Sequence, residues 1–144
     1  MPGLQRTVTV AAPPERVWAV LTDVERWPER IPTVESLQKL DGGPLAVGSR
    51  ARIKQPKLAE AVLTVTELTD GRSFTWESRS GGVTVTAGHV VDPHPGGSRL
   101  TLALTLGGLM SGLGWLMTRS TITRYVETEA ASIKEVAEAQ AETA

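Results

Sequence analysis

Imidazole is the side chain most often used to move protons at neutral pH, and this 144-residue chain carries two, His89 and His94. They stand five positions apart, with no cysteine and no acidic cluster beside them to complete the three or four ligands that zinc takes, so no metal site is expected. His94 lies between Pro93 and Pro95 and reads as a loop residue. Tyr125 is a phenolic donor, and Arg124 beside it a cation for an acidic ligand; the simpler reading is a packed ring and a solvated charge. Glu67, Glu77 and Asp92 are carboxylates of the kind glycoside hydrolysis needs, but nothing in their spacing sets the separation that chemistry requires. The G-x-S-x-G elbow, the P-loop and the G-x-G-x-x-G fingerprint are all absent. That removes the common hydrolase, nucleotide and dinucleotide readings, and no cofactor is expected.

The elements around these residues follow from periodicity. Thr7 to Val10 alternates with period two and reads as a strand ending at Ala11-Ala12. Pro13-Pro14-Glu15 opens a helix, because proline's fixed φ suits a first turn and an acid suits its positive end; Val17, Trp18 and Leu21 form its apolar stripe. Asp23 to Arg30 holds a second short helical piece, broken at Pro28 and finished by Pro32, with Trp27 and Ile31 turned inward. From Val34 to Leu106 the pattern is strands only, six of them between turn signals at Asp41 to Pro44, Pro56, Asp70-Gly71, Gly81-Gly82 and Pro93 to Gly97. A two-residue hairpin at Gly81-Gly82 pairs Ser80 with Val83, and hence Trp76 with Ala87 and Phe74 with His89.

Phe74, Trp76, Val85, Ala87 and His89 then share a face, which would let His89 look into a cavity and serve as general acid or base for an enolisation or dehydration. The plainer alternative is a buried histidine that hydrogen-bonds a neighbour or a water. Leu100, Leu102, Leu104 and Leu106 form an apolar ladder that must be covered. The cover is one long amphipathic helix carrying Leu109, Leu113, Leu116, Met117, Ile122, Val126, Ala130, Ile133 and Ala137 at helical spacing. Glu127, Glu129, Glu135, Glu138 and Lys134 are expected mostly on its solvated side, and the last four residues, AETA, are expected to fray. Arg50, Arg52 and Lys54, with Lys57 beyond, alternate as the wet face of an edge or near-edge strand rather than as an anion patch. The four tryptophans read as packing residues, with Trp76 and Trp115 also placed to line a pocket.

Composition narrows the classes. A net charge of -1 offers no field for a polyanion or an acidic membrane surface, so no nucleic-acid partner is expected. The absence of cysteine rules out disulfides, and Met1 to Val10 has no apolar core of a signal peptide; the expected location is cytoplasmic. Leu106 to Met117 is uncharged over twelve residues, too short for the roughly 20 a spanning helix needs. No repeat, linker or domain boundary is visible, so residues 1–144 are read as one domain.

The order of one strand, two short helices, six strands and a long helix resembles the START-like helix-grip fold, also called the SRPBCC or pollen-allergen-like superfamily. The opening VTVAAPPERVWAVLTDVERWPERIP (Val8 to Pro32) is similar to that superfamily's start, in which an acidic helix beginning at proline carries Val-Trp and leads to Asp and Trp-Pro. LTVTELTDGRSFTWES (Leu63 to Ser78) and GGSRLTLALTL (Gly96 to Leu106) are similar to its middle and last strands, so the likeness covers nearly the whole chain. The resemblance implies an α+β fold: a seven-stranded curved antiparallel sheet wrapped around a long C-terminal helix, with two short helices after the first strand. It also implies a cavity for lipids, sterols, polyketides or other apolar molecules. The opening motif is structural, so it transfers no catalytic residue. The expected wall comprises Ile53, Leu63, Val65, Trp76, Val85, His89, Leu102, Leu104, Leu113 and Met117, and the expected partner is a hydrophobic small molecule. Two other readings stand beside this one. One is a cyclase or dehydrase in which His89 or Tyr125 moves protons; the other is an interaction module in which the apolar face from Leu109 to Met117 joins subunits or a partner, and the oligomeric state, monomer or homodimer, stays open.

Overall fold

The period-two stretches of the sequence become one antiparallel sheet and the period-3.6 stretch one long helix. The computed structural model describes residues 2–143, in the order β1 (Gly3–Val10), α1 (Pro14–Thr22), a 3-10 turn (Val24–Arg26), α2 (Trp27–Arg30), β2 (Ser36–Lys39), β3 (Arg50–Lys54), β4 (Ala61–Thr69), β5 (Ser73–Ser80), β6 (Val83–His94), β7 (Gly97–Gly107) and α3 (Ser111–Thr143). The seven strands lie in the order β1-β7-β6-β5-β4-β3-β2, so the first strand pairs with the last. This is the α+β helix-grip architecture. A register shift between Val65 and Glu67 adds a bulge to β4, which bends the sheet.

The Gly81-Gly82 turn has both glycines at positive φ, 58° and 80°, the type I′ geometry that matches strand twist. It fixes the expected register: Ser80 opposes Val83, Trp76 opposes Ala87 and Phe74 opposes His89. Two local expectations are corrected. Pro28 does not break the second helical piece but sits in the first turn of α2, where its missing N–H costs nothing. The last hairpin turns on Pro95-Gly96 alone, so His94 belongs to the end of β6, where its Nδ1 accepts a bond of 3.1 Å from Arg99. The C-terminal helix is formed through Thr143, Ala144 lying outside the described residues.

The core lies between the sheet and α3, closed at one end by α1 and α2. Trp27, Ile31, Leu21 and Val17 from the helical corner are fully buried, as are Phe74, Trp76, Leu100, Leu102 and Leu106 from the sheet. From α3, Ile122, Val126, Ala130, Ile133 and Ala137 face inward. Leu109, Leu113, Leu116 and Met117 do not: they are 100%, 51%, 67% and 74% exposed. The first turns of α3 therefore present apolar side chains to the outside.

Two tethers hold the β1 to α1 connection. Gly97 passes so close to it that a Cβ there would stand 2.1 Å from the carbonyl oxygen of Val10, while the Ser98 hydroxyl donates to the Ala12 carbonyl at 2.6 Å. From the other side, the backbone N–H of Ala11 donates to Glu138 Oε2 at 2.8 Å, and Lys134 Nζ reaches both that oxygen at 2.8 Å and the Thr9 carbonyl at 2.7 Å. The Ala11 bond, reinforced by Lys134, holds the Glu138 carboxyl below its ordinary value. Gly97→Ala is expected to cost about 3 kcal/mol or more, since backbone rather than a flexible side chain meets the new methyl; urea denaturation reads this directly. Because the folded pKa of Glu138 lies below the unfolded one, its contribution is present above pH 4.5 and is lost as pH falls through the folded value. Glu138→Gln should accordingly cost about 1 kcal/mol or less at neutral pH, and its unfolding curve should converge on that of the parent protein as the buffer is acidified.

Candidate functional site

Alanines at 130 and 137 let the distal part of α3 lie close on β1, β7 and α1. Nearer its start the helix stands away from the β3 to β5 half of the sheet, and the space between is a cavity of about 380 Å³. Ile53, Leu63 and Trp76 line one side, Val85, Ala87, Leu102, Leu104 and Leu106 the floor, and Ile122, Tyr125 and Val126 the helix side. Gln55 and Leu58 to Glu60 contribute from the β3–β4 loop, and Ala61 from the start of β4. Such dimensions suit a small organic ligand, and the few polar groups among these walls decide its orientation.

The most buried of those polar groups is His89. Its ring stacks on Phe74 at 4.1 Å between centroids and 11° between planes, with Trp76 edge-on at 5.9 Å and Trp27 tilted at 6.1 Å. Nδ1 lies 3.1 Å from the Phe74 carbonyl oxygen, which can only accept, so Nδ1 carries hydrogen. That leaves Nε2 as the variable position, 3.6 Å from Glu129 Oε2. The two side chains are 3% and 18% exposed, and both line the cavity. The separation suits an ion pair, or a pair bridged by a ligand hydroxyl or a water, better than a tight hydrogen bond. An imidazole with one nitrogen fixed and the other facing a carboxylate can pass a proton in either direction.

Tyr125 lines the wall, but its hydroxyl donates to the Pro56 carbonyl and so ties α3 to the β3–β4 loop. The same loop is held by Lys54 Nζ, which donates to the Leu58 carbonyl at 2.6 Å. Arg124 is exposed and lies over the Tyr125 ring. Arg50 and Arg52 pair with Asp41 and Glu60 on the wet side of β3, next to the edge strand β2. A second, open recess of about 310 Å³ beside Trp18 is lined by Asp23, Glu25 and Asp70. These carboxylates already face Arg26 and Arg30, the Lys39 N–H and the Trp18 indole, respectively. Among the described residues no group of three or more acids and histidines is placed to hold a metal ion.

Of the wall expected from sequence, the structure brings Ile53, Leu63, Trp76, Val85, His89, Leu102 and Leu104 to the cavity. Val65 is buried in the core but does not reach the lining. Leu113 and Met117 point outward, because the helical turns that carry them expose that stripe; Trp115 is half-buried and packs against the core without lining the cavity. Glu129, expected on the solvated face, is the residue the sequence reading missed. Its signal was present: it falls within the buried stripe Ile122, Val126, Ile133 at spacings of three and four, where an acid is out of place.

The fold recurs in solved structures. The chain is similar to the Zhui aromatase/cyclase from Streptomyces sp. R1128, at 18% identity and a TM-score of 0.78 over 95% of this chain and 93% of that one. It is similar to TTHA0849 from Thermus thermophilus, at 22% identity and a TM-score of 0.77 over 96% and 99%. It also matches the di-domain ARO/CYC StfQ from the steffimycin biosynthetic pathway, at 17% identity and a TM-score of 0.77, covering 97% of this chain but only 51% of that protein, about half its length. No curated protein matches the sequence. The family model described as polyketide cyclase / dehydrase and lipid transport matches residues 1–138: the chain belongs to that family.

Proposed function

We propose that the cavity binds an apolar small molecule, lipid-, sterol- or polyketide-like, and that the His89–Glu129 pair receives a hydroxyl or carbonyl group of that molecule. The observation that carries this reading is an apolar chamber with one buried imidazole–carboxylate pair in its wall. Leu102 lies directly across from His89 in the sheet, so an indole at position 102 occupies the space beside the pair. Leu102→Trp is expected to weaken binding of an apolar fluorescent probe such as anilinonaphthalene sulfonate by about tenfold or more. Unchanged affinity would put the ligand elsewhere.

A second reading, chemistry in the same chamber, is favoured by one further observation: the Phe74 carbonyl fixes the His89 tautomer and leaves Nε2 facing Glu129. A ring held with one nitrogen committed is arranged for a proton shuttle, and a cyclisation or dehydration of a folded chain needs little else beyond shape and proton transfer. A cyclase or dehydrase of this kind fits the family's description. Glu129→Gln keeps the size of the side chain and removes its charge. In a catalyst it should lower kcat by about 100-fold or more on a polyketide-like substrate with a small change in apparent affinity. A loss confined to affinity would make the pair an anchor and the protein a carrier.

A further inference from the structure

We infer that the tip of the molecule formed by Leu109 to Met117 docks on the surface of an anionic lipid bilayer. Leu113, Leu116 and Met117 project outward from the first turns of α3 at helical spacing, and Leu109 and Met110 continue the surface into the turn before it. Five large apolar side chains thus cluster at the start of α3, Leu109 being fully exposed. Scattered apolar side chains on a surface need no explanation, but a contiguous stripe marks a contact. Cavity wall and tip are opposite sides of the same helical turns, for Gly114 and Thr118 line the cavity from there.

The charges along α3 say what the tip contacts. From Leu100 to Val126 the only charged residues are Arg119 and Arg124; both are exposed, and neither is ion-paired among the described residues. Beyond them the exposed residues turn acidic, with Glu127 and Glu135. The helix therefore reads apolar, then cationic, then anionic from its start. Arg119 and Arg124 follow Met117 by two and seven residues, the latter about 10 Å along the axis, so a tip resting on a bilayer brings the two guanidinium groups toward its headgroups, with the acids further along the helix. A net charge of -1 conceals this segregation, which is why composition alone argued against an acidic membrane surface. A second copy meeting the tip through the same segment would bring no carboxylate to either arginine, since the segment holds none. No helix among the described residues is long and apolar enough to cross a membrane, so the contact is one of lying on the surface. The inference does not depend on what the cavity holds.

Co-sedimentation of the full chain with vesicles of phosphatidylcholine, with and without phosphatidylglycerol, tests it. The protein should pellet with the mixed vesicles and weakly with phosphatidylcholine alone. Leu109→Asp combined with Leu116→Asp should reduce binding to both by about tenfold or more, and Arg119→Glu with Arg124→Glu should remove the preference for the anionic lipid. All four positions are exposed, so melting temperatures should stay near that of the parent. Leu102→Trp, which occupies the cavity, should leave pelleting unchanged; if it abolishes pelleting, the vesicles are being read by the cavity and the surface proposal falls while the cavity proposal stands. Absence of pelleting, or aspartate variants that pellet like the parent, overturns the inference. So does a dimer mass in solution that the aspartate variants convert to monomer without any vesicle association, which would give the tip to a second copy.

Discussion

Close packing of the distal half of α3 against β1 and β7 is the contact on which the rest of the molecule depends. Ala130 and Ala137 leave little bulk between the helix axis and the sheet, and Ile133 between them is buried as well. A rod lying on a curved sheet cannot be close everywhere. Where one end is drawn down, the sheet at the other end must part from the helix or be filled by larger side chains. Ile122, Tyr125 and Val126 do not fill it, and the remaining space is the cavity. The chamber is a result of where the small residues lie along α3, and so is the exposure of the turns before it. Those turns give their Gly114 and Thr118 side to the cavity, and the opposite side, with Leu113, Leu116 and Met117, is left exposed.

Placing an imidazole and a carboxylate in that chamber opposes the tendency of the walls. Each loses hydration, and neither carries enough compensation alone: the imidazole has one carbonyl, and the carboxylate has the imidazole at 3.6 Å. Buried pairs of this kind contribute little net stability compared with apolar residues of the same size. Aromatic rings on three sides hold the histidine so that its free nitrogen keeps one direction. Rigidity at that nitrogen, with room beside it, is what a ligand's polar group or a transferred proton requires.

Most of the fold is legible in the residues because the strongest signals are local. A two-residue Gly-Gly turn admits one register, and that register alone places His89 beside Phe74 and Trp76. Alternation along β7 fixes which leucines face the core. Two features escape the same reasoning. Helical periodicity identifies a stripe but not its rotation about the helix axis, so it assigns Leu113 and Met117 to a wall that the neighbouring positions Gly114 and Thr118 line instead. Glu129 groups with the neighbouring acids by type, although its position belongs to the buried stripe. An acid at an apolar position is weak evidence of a site until the residue across from it is known, and His89 is about 40 positions away, a pairing that only tertiary structure supplies.

The pairing of β1 with β7 carries a consequence for how the chain is made. Val10 opposes Ser98, about 90 residues later, and every other strand pairs with a sequence neighbour. During synthesis the β2 to β7 meander can zip up hairpin by hairpin while the first strand, with its alternating valines, has no edge to join. Only when β7 has emerged does β1 find its place, and only when α3 follows is the leucine ladder shielded. The nascent protein thus passes through a long interval with an unmatched strand at one end and a bare apolar sheet at the other. That interval, rather than the finished structure, is where this topology is most open to misassociation and to a chaperone's hold.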